Sequence, residues 1–386
     1  MSNKKPKQPL LEKIGVNYFN RLSIKLETDR EIHLKDIPSD RVLQVVSNNI
    51  TLNTVIIAFL VGALTTVPAV VFEMYFREVF STFNYYALLS AITLVLLIVE
   101  VGVLYWIGMR STYTLAHLTG CNENDENHKS TLPPEYDINK MMVRSALELD
   151  DPTIEHLGIN PHKNISKKWL VFSALLYKAK ILLTSVVIKF LFTRIAARYG
   201  VRVSFVWIAI PVTAVWDAVV MYKVVKDARL RLFGYHLSKY LIEEIFTDKW
   251  MDTYSSHTRE GAVRAVSTIL SLSGSYHPNN IILLIRLSQN FVIEEHKDYD
   301  DLTKLLEHLE MASDEEKYLL KILAGITASF DGKVNKAEKN ALIKIFNEED
   351  EVYMKFTEEL RDLLLNNRLH QSAKFCREAL KFNKIF

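Results

Sequence analysis

Residues 85–109 read YYALLSAITLVLLIVEVGVLYWIGM, an apolar run broken by one charged side chain, Glu100. A helix that crosses a membrane needs about 20 mostly apolar residues, and this run is long enough. Three further runs meet the same test, at 53–76, 169–193 and 203–222. Each of the four contains a charge: Glu73 in the first, Glu100 in the second, Lys178, Lys180 and Lys189 in the third, and Asp217 in the fourth. A charge near the bilayer centre costs about 2.5–3.5 kcal/mol on insertion scales, so each has to be paired, hydrated or used. These runs define a multi-pass membrane protein.

The remaining composition narrows the class. Gly (12) and Pro (10) are scarce in 386 residues, which favours helices. A net charge of +2 argues against a nucleic-acid binder that works by bulk electrostatics. Cys121 and Cys376 are too far apart in sequence to suggest a disulfide framework. Lys4, Lys5 and Lys7 are followed by no apolar run before Val55, unlike a cleaved signal peptide.

Lys and Arg set the topology, because they concentrate on the cytoplasmic side. Residues 1–54 carry nine of them, the connection 77–84 one, and the stretch 110–168 seven. Lys223, Lys226, Arg229 and Arg231 follow the fourth run. Both termini and the middle stretch are therefore expected inside, with two short outer turns. Arg194, Arg198 and Arg202 run against this assignment and fit a shallow hairpin of the third and fourth runs. The expected location is a bacterial inner membrane with both termini cytoplasmic. Alternation at Leu22, Ile24 and Leu26, and again at Ile32 and Leu34, suggests a small β-hairpin before the first span.

At 1.5 Å rise per residue, Glu100 and Lys178 both lie about 13 Å from the inner end of their helices. Asp217 is shallower and within reach of Lys178 or Lys180, while Glu73 and Lys189 sit near the outer ends. Two readings follow. One is a four-helix bundle clamped by internal ion pairs. The other is a polar pathway for an ion or proton, to which Pro68 and Pro211 would contribute broken backbone hydrogen bonds.

From Lys223 onward no run is apolar enough to span. The fourth helix is expected to continue to about Phe246, with an apolar stripe of Leu230, Phe233, Leu237 and Leu241. Helical periodicity then recurs to the carboxyl end. Ser313 with Glu316 and Asn335 with Glu338 have capping-box spacing. Gly274 and Gly332 stand where left-handed helix stops are expected. Aligning these glycines pairs Ser273 with Asp331, Tyr276 with Val334 and Asn280 with Glu338, an internal repeat. Asp331 has a plain role there, closing the turn with its short side chain. A metal ligand is the alternative, although Asp331, Asn335 and Glu338 do not make a calcium loop.

The segment ASFDGKVNKAE at 328–338 resembles the signature turn of TerB-like domains, Ala-x-x-Asp-Gly-x-apolar-x-x-x-Glu. The resemblance covers about 255–386. It implies an all-helical domain of two related halves, from the tellurite-resistance and stress-response group. It also implies divalent-metal binding by acidic residues at this turn, here Asp331 and Glu338. Ser273 stands where the first half would carry the matching Asp, a departure from the pattern that speaks against a two-sided metal site.

Other constellations carry less. Tyr276-His277-Pro278-Asn279 resembles the His-Pro-Asp turn of J-domain cochaperones, but Asn279 replaces the Asp, so it reads as a helix start with Pro278 first. His117, Cys121 and His128 lack a fourth zinc ligand. No phosphate loop, dinucleotide fingerprint or nucleophile elbow occurs. The chain is thus expected to be all-α: a cytoplasmic segment (1–52), two transmembrane hairpins (53–109 and 169–222) around a cytoplasmic loop (110–168), a linking helix (223–254) and a TerB-like domain (255–386). The function expected is non-enzymatic presentation of that domain for protein-partner or metal binding in an envelope or metal stress response. No cofactor is required, and a homo-oligomer is compatible with this reading. A small ion or solute transporter with a cytoplasmic regulatory domain is the alternative.

Overall fold

A computed structural model describes residues 10–23, 34–119, 137–149, 151, 159, 202–247, 252–274, 276–289, 298–347 and 350–381. Among these residues the regular structure is entirely helical, with no strand. The chain divides into two units, one of residues 48–114 and 166–226, the other of 1–47, 115–165 and 227–386.

The first unit is built on α2 (Asp40–Phe76) and α3 (Thr82–Leu118), joined by a tight turn. Their contacts keep one antiparallel register. Thr54 Oγ1 meets Ser111 Oγ at 2.6 Å, and Thr65 Oγ1 donates to Glu100 Oε2 at 2.8 Å. A step of eleven residues up α2 matches an equal step down α3, so the two polar rungs stand about 16 Å apart. Between them Ala58 and Ile107 pack with Met221 and Val224 of α5 (Arg202–Tyr240). At the α2–α3 turn Phe72 stacks on Phe76 (5.2 Å) and Tyr85 (5.9 Å), and Phe76 on Phe80 (6.1 Å). Such an aromatic cluster at one end of a span suits the headgroup level.

The outer faces of these helices decide their solvent. Leu52, Ile56, Leu60, Leu64, Leu94, Val95, Ile98 and Trp106 are all exposed. Only 28%, 11% and 33% of the most apolar windows of the three long helices is buried inside the protein. Contiguous apolar surface of this extent is not left against water. The three helices are long and apolar enough to cross a membrane and point to a membrane protein. The third expected run, 169–193, lies outside the described residues.

At Gly62 the backbones of α2 and α5 approach closely. A Cβ there would lie 2.5 Å from Asp217 Oδ2, 3.0 Å from Ala214 Cα and 3.0 Å from the Thr213 carbonyl. Two of these are backbone atoms, so α2 and α5 cannot accommodate a methyl without separating. Gly62→Ala is expected to destabilise the detergent-solubilised protein by about 1–2 kcal/mol, read as a drop in Tm, despite the better helix propensity of Ala.

In the second unit, α1 (Leu10–Ser23) packs on α4 (Ile138–Ala146). A Cβ at Gly15 would meet Val143 at 2.5 Å, and Phe19 is fully buried. Arg144 grips Glu12 with two hydrogen bonds, 2.9 and 3.2 Å, and both side chains are buried. Here the hairpin expectation is corrected. Leu22 lies inside α1 and Leu34 opens a short 3-10 turn, Leu34–Asp36, while 24–33 lie outside the described residues. Gly15, Phe19 and Leu22 recur at helical spacing, and the buried face they form outweighs the local alternation.

The carboxyl part of this unit begins with the end of α5, whose Leu230, Phe233, Leu237 and Leu241 stripe is buried. It continues through α6 (Ser256–Ser273), α7 (Pro278–Gln289), α8 (Leu302–Met311), α9 (Asp314–Ser329), α10 (Lys336–Phe346), α11 (Asp350–Leu365) and α12 (Leu369–Lys381). The pair α6–α7 repeats as α9–α10. Ser255 and Ser313 are N-caps, and Pro278 and Lys336 open the second helix of each half. Thr258 and Glu316 occupy equivalent positions, 58 residues apart, and touch: the Thr258 hydroxyl donates to the Glu316 carboxylate. Gly261 lets Leu320 of α9 close on α6. Gly274 and Gly332 adopt φ of +69° and +71°, the left-handed region in which Gly carries no Cβ penalty.

Candidate functional site

The two halves clasp each other at their helix ends. Asn335, the N-cap of α10, donates through Nδ2 to the Leu272 and Ser273 carbonyls at the end of α6 (2.9 and 3.3 Å). Asn279, in the first turn of α7, donates through Nδ2 to the Phe330 carbonyl at the end of α9 (3.4 Å) and to Leu230 of α5 (3.1 Å). The start of the second helix in each half thus satisfies carbonyls that the first helix of the other half leaves open.

The acidic turn lies in this clasp. Asp331 Oδ1 accepts the Lys333 N–H at 2.9 Å and so closes the turn. Asn335 Oδ1 accepts from the Ala337 and Glu338 N–H groups, and Glu338 Oε2 returns the capping box by accepting the Asn335 N–H at 2.8 Å. Glu338 is 1% exposed, and its second oxygen, Oε1, is buried with no hydrogen-bond partner. An orphaned carboxylate oxygen in such a place is costly unless a proton or a cation meets it. Burial, and then the negative charge of Asp331, pushes the Glu338 carboxyl up to about 8. Burial also lifts Asp331 to about 6, against the pull of Lys333.

Glu338 therefore takes up a proton on folding, between its ordinary value of 4.5 and about 8. Its contribution to stability is complete below pH 4.5 and is lost as the pH rises through about 8. Glu338→Gln keeps the capping box and removes the charge. The variant is expected to melt higher than the parent at pH 8.5, by on the order of 2 kcal/mol. It should match the parent near pH 5. A thermal-melting series in detergent from pH 5 to pH 9 reads this directly, and equal pH profiles would remove the buried-charge account.

Among the described residues, no group of three or more His, Cys, Asp or Glu side chains is placed to hold a metal ion. Asp331 and Glu338 offer two neighbouring carboxylates with one unpartnered oxygen, the hard-oxygen chemistry that divalent cations such as calcium and manganese take.

The membrane charges are placed only in part. Glu100 is buried and takes its hydrogen bond from Thr65, Asp217 is buried against Gly62, and Glu73 is half-buried in the last turn of α2. Thr65 and Gly62 lie one turn apart, so both carboxylates address the same face of α2. Lys178, Lys180 and Lys189, the expected partners, lie outside the described residues. So do Cys121 and His128, whereas His117 lies in α3.

Two features escaped sequence reasoning. Arg231 of α5 holds Asp151 through Nη1 and Nη2 (2.5 and 2.8 Å) and Asp227 through Nε (2.6 Å), while Ser145 of α4 donates to Asp227 at 2.8 Å. His277 is buried beside this group, and burial followed by the Arg231 charge pushes its imidazole down to about 4, so it stays neutral at pH 7. The second feature is a π-helical turn, Leu241–Ile245, at the end of α5. Asp227 and Arg231 have helix-pair spacing, but Asp151 and Ser145 are 80 and more residues away, and the π turn has no local sequence signature. Cys376 is fully buried, and burial raises its thiol well above the usual range, leaving it unreactive. Comparison with protein-family models, curated proteins and solved structures finds no match for this chain.

Proposed function

We propose that this is a membrane-anchored, non-enzymatic protein whose helical unit binds a divalent cation at Asp331 and Glu338. The observation that carries the reading is the orphaned, buried Oε1 of Glu338 beside a second acid. The 58-residue register of the two halves adds support for a TerB-like module from the stress-response group. In this reading the apolar helices anchor the module in a bacterial inner membrane with both termini cytoplasmic. The cation locks the clasp between the halves and so controls whether a cytoplasmic protein partner is engaged. A homo-oligomer is compatible with it.

Calorimetric titration of manganese, calcium and zinc into the purified full chain at pH 8 tests the cation branch. Binding is expected in the parent and absent in Glu338→Gln. No heat with any of the three, or equal heat in both proteins, removes it. The full chain is the right material, because α5 packs into the module: Leu230 lies against Gly332 and accepts from Asn279.

A second reading, a small ion or solute transporter regulated by the same module, draws on Glu100 and Asp217 facing one side of α2. Ion or proton flux into vesicles containing the protein, absent in a Glu100→Gln variant, would favour it. Loss of folding in that variant without any flux in the parent would favour the clamp.

A further inference from the structure

A cavity of about 640 Å³ opens at the π-helical turn. One wall is the end of α5 and the π turn, with His236, Lys239, Tyr240, Glu243 and Glu244. The opposite wall is α12, with His370, Lys374 and Arg377, and Leu34 and Asp36 close one side. On both helices the lining residues recur at three-, four- and seven-residue spacing, so each wall is a single helix face. A π turn adds a residue to one turn of helix and is found frequently at functional sites. Here it carries the two adjacent acids Glu243 and Glu244.

The charges in the cavity are not equivalent. Lys239 pairs with Glu243 at 3.9 Å and Lys374 with Glu378 at 3.7 Å, each within its own helix. Asp36 has interactions of its own, and His370 Nε2 faces the Ile37 and Pro38 carbonyls at 3.2 and 3.0 Å. Two groups remain for a ligand. Arg377 is fixed by the buried Tyr240: its guanidinium lies 5.3 Å from the ring centroid, and Nε donates to the phenol oxygen. That arrangement leaves both Nη groups of the fork for an anion, the geometry that suits a carboxylate. Glu244 is exposed on the facing wall. One oriented cation and one anion on opposite walls match a ligand that carries a carboxylate and an ammonium.

We propose that this cavity binds a short zwitterionic peptide, its carboxylate on Arg377 and its amino terminus on Glu244. The volume is that of a ligand pocket for a molecule larger than a single amino acid. This site is distinct from the acidic turn and stands or falls without the cation. Saturation-transfer NMR on the full chain in detergent micelles tests it with trialanine, using N-acetyl-trialanine amide as the control without terminal charges. Transfer to trialanine and none to the blocked peptide is expected. Arg377→Gln and Glu244→Gln should each weaken trialanine binding about tenfold or more. Glu244 is exposed and makes no structural bond among the described residues, so Glu244→Gln should fold with an unchanged Tm, whereas Arg377→Gln also loses the Tyr240 contact and is compared as folded protein at a Tm lowered by a few degrees. Absence of transfer to trialanine, equal transfer to the blocked peptide, or full binding by either folded variant overturns the proposal.

Discussion

Arg231→Ala is expected to cost about 3–5 kcal/mol of stability, enough to abolish folding in a marginal membrane protein. The side chain is 9% exposed and is the cation shared by Asp151 and Asp227. Removing it leaves the half-buried Asp151 and the more exposed Asp227 facing each other without their shared cation. The loss is not confined to one helix: Asp151 belongs to the segment that follows α4, so its hold on α5 is released at the same time, leaving the Ser145–Asp227 bond alone. Arg231→Lys should recover only part of the loss. Its ammonium cannot reproduce the two-pronged bond to Asp151 together with the Nε bond to Asp227. Tm values in one detergent at pH 7 should fall in the order parent, Lys, Ala. A lysine variant that melts with the parent would show that the fork is dispensable.

Gly234→Ala should be nearly as damaging, at about 3 kcal/mol, although it adds a single methyl to a helix. The new Cβ would sit 1.9 Å from Asn279 Nδ2 and 2.6 Å from its Cγ. Asn279 is fully buried and cannot swing away without abandoning the Leu230 and Phe330 carbonyls. Two buried acceptors would then lose their donor, and the cross-cap between the halves would open. Combining Gly234→Ala with Asn279→Ala makes room for the methyl, so the two losses should not add. A coupling of about 1 kcal/mol or more in the double-mutant cycle is expected. Simple additivity would mean that the close approach is relieved elsewhere.

The helical module was legible in the sequence because its signals are local. Capping boxes at Ser313 and Asn335, left-handed stops at Gly274 and Gly332, and Pro278 at a helix start all act within a few residues, and all form as read. The apolar runs were equally plain, but their ends were not. α2 begins at Asp40 and α3 reaches Leu118, because polar stretches beyond the apolar core continue the same helices. The candidate site was half legible. Its motif named Asp331 and Glu338, yet the orphaned oxygen that gives the pair its chemistry depends on burial by helices distant in the chain, α6 among them, which periodicity cannot report. Arg231, Asn279 and Arg377 act through partners 80, 51 and 137 residues away, and no spacing rule reaches that far.

The proposed function requires the apolar helices to hold the helical module on the cytoplasmic side of a membrane. Reporter fusions after Asn84, in the first turn of α3, and after Phe386 test this most directly. An outside reporter at Asn84 and an inside reporter at Phe386 are predicted. A carboxyl terminus on the outer face, or both reporters on one side, would contradict it.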